Sequence, residues 1–284
     1  MTARFEVGYD EVAKLAPATS GERISYAGES PHQFGLLRVP RGHGPHPVVA
    51  LVHGGCWLAD YDYAHVESAA AAICARGAAV WTIEYRRLGQ DGGGWPGTFR
   101  DAALGLDHLR ALAPQHGLDL SRIVAVGHSA GGHLALWLAA RPRLSRSSEL
   151  FAASPLPLAG VVSLAGIADL RAYALGAGRC NASVRPLLGG AAAAAARRYA
   201  QASPLELAPL AVPLRIVHGA RDAIVPVAQS EALAAAERAG GGNAVLEVLP
   251  RAGHFDLIAP FADAWATVER RVLELAGCGG AEST

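Results

Sequence analysis

The sequence contains little charge and almost no lysine. Charged residues make up 18% of the 284 residues, the 25 basic and 25 acidic side chains cancel, and Lys14 is the single lysine. Without a basic excess to neutralise phosphates, nucleic acid is not an expected partner, and an electrostatically held membrane-surface protein is also disfavoured. Intrinsic disorder is excluded, because 51% of the residues are hydrophobic and the net charge is zero.

Long apolar runs and closely paired cysteines are also missing. The uncharged stretches 123–140 and 150–168 are interrupted by histidine, serine, glycine or proline, so neither predicts a membrane span. The N-terminus has no apolar core of a signal peptide. The four cysteines form no C-x-x-C pair, and free thiols in a reducing compartment are expected. These features predict a cytoplasmic protein without membrane partners.

Short apolar runs alternate with amphipathic segments along most of the chain. This alternation predicts an α/β protein with a mostly parallel sheet covered by helices on both faces. The predicted strands are 47–52, 78–84, 122–126, 159–165, 213–218 and 244–249, with antiparallel strands in 24–39. The predicted helices are 64–76, 97–112, 130–140, 227–239 and 261–276. The stretch 167–210 is too long for an ordinary connection, and we expect a small cap there with one alanine-rich helix.

No internal repeat or long linker divides the chain. We therefore expect one domain over residues 1–284, in which residues 1–30 form an N-terminal extension that could contribute to a cap.

A Gly-His-Ser-Ala-Gly segment at 127–131 lies between a β-branched strand and an apolar helix. A serine at such a turn stands clear of the sheet, and the flanking glycines avoid a clash between strand and helix. The helix N-terminus below it favours developing negative charge. Ser129 is therefore the candidate nucleophile, although a serine that only caps the helix has the same local pattern.

A His-Gly-Gly-Cys-Trp segment at 53–57 directly follows the first parallel strand. Glycine-rich backbone can present N–H groups to an oxyanion without obstruction by side chains. We expect the N–H groups of Gly54 and Gly55 to join that of Ala130 in an oxyanion hole. A plain strand-to-helix turn is the alternative interpretation.

A serine hydroxyl needs a base, and that base needs a carboxylate behind it. His254 follows the last strand and Asp222 follows the strand before it, so both are expected at the same edge of the sheet as Ser129. The chain order Ser129, Asp222, His254 is that of hydrolases built on this architecture. Asp169 follows a strand too early to compete, and Asp256 is too close in sequence to orient the His254 ring.

Three further residues near these motifs are candidate substrate contacts: Cys56, Trp57 and His128. For Cys56, a small side chain packed behind the loop is the alternative to a reactive thiol. For Trp57, lining the pocket and packing in the core are equally compatible with the sequence.

Neither a metal site nor a cofactor is expected. His128 and His133 lack a third ligand, and their spacing of five residues does not place them on one helix face.

The motifs at 53–57 and 127–132 resemble those of the α/β-hydrolase superfamily, and the resemblance extends from about residue 35 to 276. It is strongest to the branch that holds kynurenine formamidases and hormone-sensitive-lipase-type carboxylesterases. That resemblance implies an α/β-hydrolase fold with Ser129, Asp222 and His254 as catalytic triad and Gly54 and Gly55 as oxyanion donors. Cys56 stands where the lipase-type branch usually has a third glycine.

The motifs and the resemblance together predict a serine hydrolase that acts on small ester or amide substrates. A short-chain carboxylesterase is the first choice and an arylformamidase the second. A non-catalytic ligand-binding protein of the same fold is the alternative from another class. A homodimer is compatible with the sequence.

Overall fold

The computed structural model describes residues 6–15 and 20–278, which contain an eight-stranded sheet with strand order β1-β2-β4-β3-β5-β6-β7-β8. The strands are β1 (Glu22–Ser25), β2 (Phe34–Arg38), β3 (His46–Val52), β4 (Ala79–Ile83), β5 (Leu118–His128), β6 (Gly160–Leu164), β7 (Leu214–Gly219) and β8 (Ala244–Leu249). Strand β1 pairs antiparallel with β2, and β2 with β4, whereas every other pair is parallel. The predicted mostly parallel sheet with leading antiparallel strands is confirmed.

Helices cover both faces of this sheet. They are α1 (Tyr9–Ala13), α2 (Glu67–Ala75), α3 (Gly97–Asp107), α4 (Leu109–His116), α5 (Ala130–Ala140), α6 (Leu170–Tyr173), α7 (Arg179–Leu187), α8 (Ala196–Ala202), α9 (Ala228–Ala239) and α10 (Trp265–Ala276). Short 3-10 segments of the described residues are Tyr63–Val66, Arg141–Arg143, Pro204–Leu207 and Phe255–Ile258.

The central strands separate two hydrophobic cores, because successive side chains of a strand point to opposite faces. On β3, Val48, Ala50 and Val52 pack with α3, α4 and α5, whereas Val49 and Leu51 pack with α2 and α10. Helix α5 packs against β3, β5 and β6, and all eleven of its residues are buried. A helix that is apolar on every side is stable only in such an interior position.

Besides shifts of a few residues at the ends of elements, the helices differ from the sequence prediction in two places. The predicted helix 97–112 is two helices, with the break at His108, and α4 continues to His116, after which left-handed Gly117 ends it. The stretch between β6 and β7 contains three helices and a 3-10 turn rather than one helix. Because these cap helices are short and bury their apolar residues against the core, their periodicity in the sequence is weak.

Replacement of Gly35 tests the packing between β2 and Trp81 of β4. A Cβ added at Gly35 would lie 2.4 Å from ring carbons of buried Trp81, whose indole N–H already donates to Gly105 at 2.8 Å. We expect Gly35→Ala to lower the free energy of unfolding by about 1–3 kcal/mol in urea titrations, as overpacking does.

Gly28→Ala is the matched control, because a Cβ there meets nothing within 4 Å. Its unfolding free energy should stay within about 0.5 kcal/mol of wild type. Equal stability of the two variants would contradict the packing argument.

Candidate active site

The turn between β5 and α5 holds Ser129 in a conformation that L-amino acids rarely adopt, with φ 57° and ψ −121°. The surrounding backbone leaves no room for side chains at the glycines on either side of this serine. A Cβ at Gly127 would lie 2.1 Å from the carbonyl oxygen of Gly131, and one at Gly131 would lie 2.1 Å from that of Val52. Strand, turn and helix are thus in direct backbone contact, and this contact presents Ser129 at the carboxyl edge of the sheet.

Asp222 and His254 lie in the loops after β7 and β8. Oδ2 of Asp222 accepts a hydrogen bond from Nδ1 of His254 at 2.6 Å. Its Oδ1 accepts from the backbone N–H groups of Ile224 and Val225, each at 2.8 Å. The carboxylate is therefore fixed on both oxygens, and the imidazole is fixed through Nδ1.

The ionisation of Asp222 results from opposing effects. Burial raises the pKa of its carboxyl, but hydrogen bonds from His218 and His254 outweigh burial, so the pKa lies below its ordinary value. An ionised carboxylate accepts a hydrogen bond from the Nδ1–H group of His254, and this tautomer leaves the lone pair of Nε2 available as a proton acceptor.

The glycine-rich loop after β3 crosses the Ser129 turn. A Cβ at Gly54 would lie 2.8 Å from the carbonyl oxygen of His128 and 3.1 Å from Cβ of Ser129. Gly55, Cys56 and Trp57 follow with φ values of 105°, 54° and 57°. The loop therefore turns its backbone sharply within contact distance of the Ser129 turn.

Buried charges anchor this loop from behind. Nε2 of His53 lies 3.1 Å from Oε1 of Glu84, and Arg87 pairs with the same carboxylate at 3.4 Å. Burial raises the pKa of Glu84, but His53 and Arg87 lower it more, so it lies below its ordinary value. The hydroxyl of Tyr85 donates to the carbonyl of His53 at 2.9 Å. Sequence reasoning missed this network; charged residues directly after the apolar strand β4 were the available signal.

The serine, the imidazole and the loop meet at one small cavity of about 230 Å³. Of the predicted site residues, it is lined by Gly55, Cys56, His128, Ser129 and His254. The other lining residues were not predicted: Tyr9, Tyr61, His65, Cys180, Ile224 and Phe255. Asp222 lies behind His254. Gly54 and Ala130 flank Ser129 without lining the cavity.

The prediction that Trp57 contacts substrate is wrong. Its side chain is fully buried, and Nε1 donates to Nδ1 of His133 at 3.2 Å. The left-handed backbone at Trp57 directs the chain so that the large indole enters the core, where its one N–H finds a partner. His128 does line the cavity, and its Nε2 bonds to the carbonyl of His254 at 3.0 Å, so its ring also holds the His254 backbone.

The prediction of four free thiols is wrong for two of them. Cys56 and Cys180 form a disulfide, with Cα atoms 4.8 Å apart and a sequence separation of 124 residues. Cys74 and Cys278 are free. Helix α7 of the cap folds back onto the glycine-rich loop, which spacing in the sequence cannot reveal. Because disulfides persist mainly in oxidising compartments, the thiol argument for a cytoplasmic location loses its basis.

The rival residues have other partners. Asp169 accepts hydrogen bonds from the backbone N–H groups of Arg171 and Ala172 at the start of α6. Asp256 accepts from the backbone N–H groups of Val7 and Gly253. Within residues 6–15 and 20–278, no group of three or more His, Cys, Asp or Glu side chains could hold a metal ion. No helix in that same part of the chain is long and apolar enough to cross a membrane.

Comparisons with known proteins give a matching family and esterase relatives. The model of the family described as BD-FAE matches residues 37–236. Esterase LipC of Mycobacterium tuberculosis is 28% identical over 221 residues, 75% of this chain and 54% of that protein. A probable isoprenylcysteine alpha-carbonyl methylesterase, ICMEL1 of Arabidopsis thaliana, is 29% identical over 126 residues, 44% of this chain and 26% of that protein. The chain thus spans about a quarter to half the length of these relatives.

Among solved structures, esterase B of Lactobacillus rhamnosis superposes with a TM-score of 0.78 at 20% identity, over 93% of this chain and 88% of that chain. This similarity confirms the predicted α/β-hydrolase fold.

Thiol titration tests the disulfide. We expect two reactive thiols per chain when the protein is denatured without reductant, those of Cys74 and Cys278, and four after reduction. Cys180→Ser should give three thiols without reductant, because it releases Cys56. Four thiols in the unreduced wild type would contradict the bond.

The buried histidine His65 predicts a dependence of stability on pH. Burial, and next the charge of His53, lower its pKa from 6.5 to about 3. Below pH 6.5, His65 therefore binds a proton in the unfolded chain but not in the folded protein. The free energy of unfolding falls as the pH drops from 6.5 towards 3. Between pH 7 and pH 5, His65→Gln should lose about 2 kcal/mol less unfolding free energy than wild type.

His43→Gln, a change at an exposed residue, is the control for this experiment. Urea unfolding at both pH values should give it the wild-type loss. The same loss in His65→Gln would contradict the assignment of a neutral, buried imidazole.

Proposed function

Because the chain belongs to the BD-FAE family, we propose that it is a serine carboxylesterase in which Ser129 is the nucleophile, His254 the base and Asp222 the carboxylate behind that base. The observation that carries the proposal is the shared cavity: a serine held at φ 57° lines it beside a histidine whose Nδ1 is bound to a carboxylate at 2.6 Å. Both named relatives, LipC and ICMEL1, are described as esterases.

In the first half of the reaction, Oγ of Ser129 attacks the ester carbonyl while Nε2 of His254 takes the hydroxyl proton. His254 then gives that proton to the leaving alcohol, and an acyl group remains on Ser129. Ionised Asp222 stabilises the imidazolium that forms between these steps. In the second half, water attacks the acyl group by the same route and releases the acid.

Backbone N–H groups of Gly54, Gly55 and Ala130 are the proposed donors to the oxyanion. Ala130 is the first residue of α5, and the first N–H groups of a helix have no carbonyl partner within it. The positive end of the α5 dipole favours negative charge at the same point. The buried His53–Glu84 contact supports the proposal by fixing the loop that carries the two glycines.

The size of the cavity supports short substrates. Its volume of about 230 Å³ lies below the roughly 300–1,000 Å³ of pockets that enclose drug-sized ligands. We therefore place short acyl esters first. Neither the family nor the named relatives support the arylformamidase alternative, and the amide and formamide activities remain predictions from the sequence.

Replacement of the serine tests the nucleophile. We expect Ser129→Ala to lower kcat for p-nitrophenyl acetate by about a million-fold, since loss of the nucleophile removes the acyl-enzyme route. Thermal unfolding should show a folded variant. A fluorophosphonate probe should label wild type and leave Ser129→Ala unlabelled. Ser145→Ala, at an exposed serine, is the matched control and should keep wild-type rate and labelling.

The same assays separate the alternatives. A wild-type protein that neither hydrolyses esters nor reacts with the probe would overturn the proposal in favour of a ligand-binding protein. A strong preference for N-formylkynurenine over p-nitrophenyl acetate and butyrate would favour the arylformamidase. Wild-type activity in Ser129→Ala would contradict the nucleophile.

A further inference from the structure

The N-terminal helix α1 contributes a side chain to the cavity although the sequence motifs begin some forty residues later. Tyr9, the first residue of α1, lines the cavity together with Ser129 and His254. Its ring lies edge-on against Tyr61, with ring centroids 5.1 Å apart, and against Phe255 at 5.7 Å. A third aromatic neighbour is His65, also at 5.7 Å. Tyr9 is thus packed on three rings that line the same cavity.

The segment before α1 is fastened beside His254. Oδ2 of Asp256 accepts a hydrogen bond from the backbone N–H of Val7 at 3.1 Å and another from that of Gly253 at 3.2 Å. The carboxylate is buried, and so are the side chains of Val7 and Val12. One buried carboxylate therefore joins the start of α1 to the loop that carries His254, and the position of Tyr9 is fixed relative to that imidazole.

The neighbours of Tyr9 place it on the leaving-group side of the cavity. Phe255, which Tyr9 contacts, lies edge-on to the ring of His254 at 5.0 Å. In the proposed reaction His254 gives its proton to the leaving alcohol, so the alcohol must lie next to this imidazole. Through Phe255, Tyr9 is thus joined to the side of the cavity that His254 lines, where the leaving alcohol must accept its proton.

Resting on the proposed esterase function, we propose that Tyr9 limits the size of the alcohol that the enzyme can release. Its phenol ring fills space beside His254 that a larger alcohol would need. The N-terminal segment is in this respect part of the binding site, and Tyr9 is a specificity residue rather than a member of the proton-transfer chain.

Two opposite substitutions test the proposal. Tyr9→Ala widens the cavity and Tyr9→Trp narrows it, whereas Tyr9→Phe keeps the ring. Each protein is assayed for kcat/KM on phenyl, 4-methylumbelliferyl and 2-naphthyl acetates, which vary the alcohol. A second series, p-nitrophenyl acetate, butyrate and octanoate, varies the acyl group. Because every ester is compared between variant and wild type, differences in leaving-group reactivity cancel.

We expect the Tyr9→Ala to wild-type ratio to rise by about tenfold or more from phenyl to 2-naphthyl acetate, the scale on which pockets discriminate by size. The ratio for Tyr9→Trp should fall along the same series. The ratio for Tyr9→Phe should stay near unity for every alcohol. No Tyr9 variant should change the order of kcat/KM values along the acyl series. Tyr63→Ala is the matched control, because Tyr63 lies on the 3-10 segment beside His65 and does not line the cavity.

A flat ratio along the alcohol series, or a shift along the acyl series instead, would overturn the proposal. If thermal unfolding shows that Tyr9→Ala is not folded, the opposite shift expected of Tyr9→Trp decides the question. A wild-type protein inactive on all esters would refute the proposed function, and the role of Tyr9 would fall with it. An active wild type with unresponsive Tyr9 variants would refute the role of Tyr9 alone.

Discussion

Direct contact between backbone segments at the β5–α5 turn is the constraint on which the site depends. Gly127, Gly131 and the carbonyl of Val52 approach so closely that no side chain fits between them, and Ser129 is held at positive φ as a result. A non-glycine residue in such a conformation persists only when its surroundings determine it. Fully buried α5 on one side and the parallel neighbours of β5 on the other provide those surroundings.

The two buried carboxylates near this turn, Glu84 and Asp222, both have polar partners. Glu84 is held between His53 and Arg87, and Asp222 between two backbone N–H groups and His254. An unpaired ion in this interior would be strongly unfavourable, but a fully bonded one fixes the orientation of its partners. The two carboxylates thereby act alike, because each fixes the orientation of one histidine ring. Glu84 fixes His53 at the start of the glycine-rich loop, and Asp222 fixes His254 in the cavity.

Local signals were sufficient to predict which residues meet at the carboxyl edge of the sheet. Ser129, Asp222 and His254 each follow an apolar strand, and parallel strands bring their carboxyl ends to one edge, so their proximity could be predicted without coordinates. The glycine-rich loop could be predicted at this edge too, because it also follows an apolar parallel strand.

Features that depend on distant parts of the chain could not be predicted. Cys180 reaches Cys56 through the path of the cap, and Tyr9 reaches the cavity through a hydrogen bond between Val7 and Asp256, 249 residues apart. Trp57 has a sequence context that fits core and cavity equally, and only the direction of its backbone decides between them. No proline or glycine stands at residues 107–109 to mark the break at His108.

The bond between Cys56 and Cys180 has a topological consequence. It closes a covalent loop of residues 56–180 that contains Ser129, whereas Asp222 and His254 belong to the part of the chain after this loop. A single proteolytic nick anywhere between these two cysteines would leave both fragments joined. After a nick between Ser129 and Cys180, the candidate nucleophile would separate from Asp222 and His254 only once the disulfide is reduced as well.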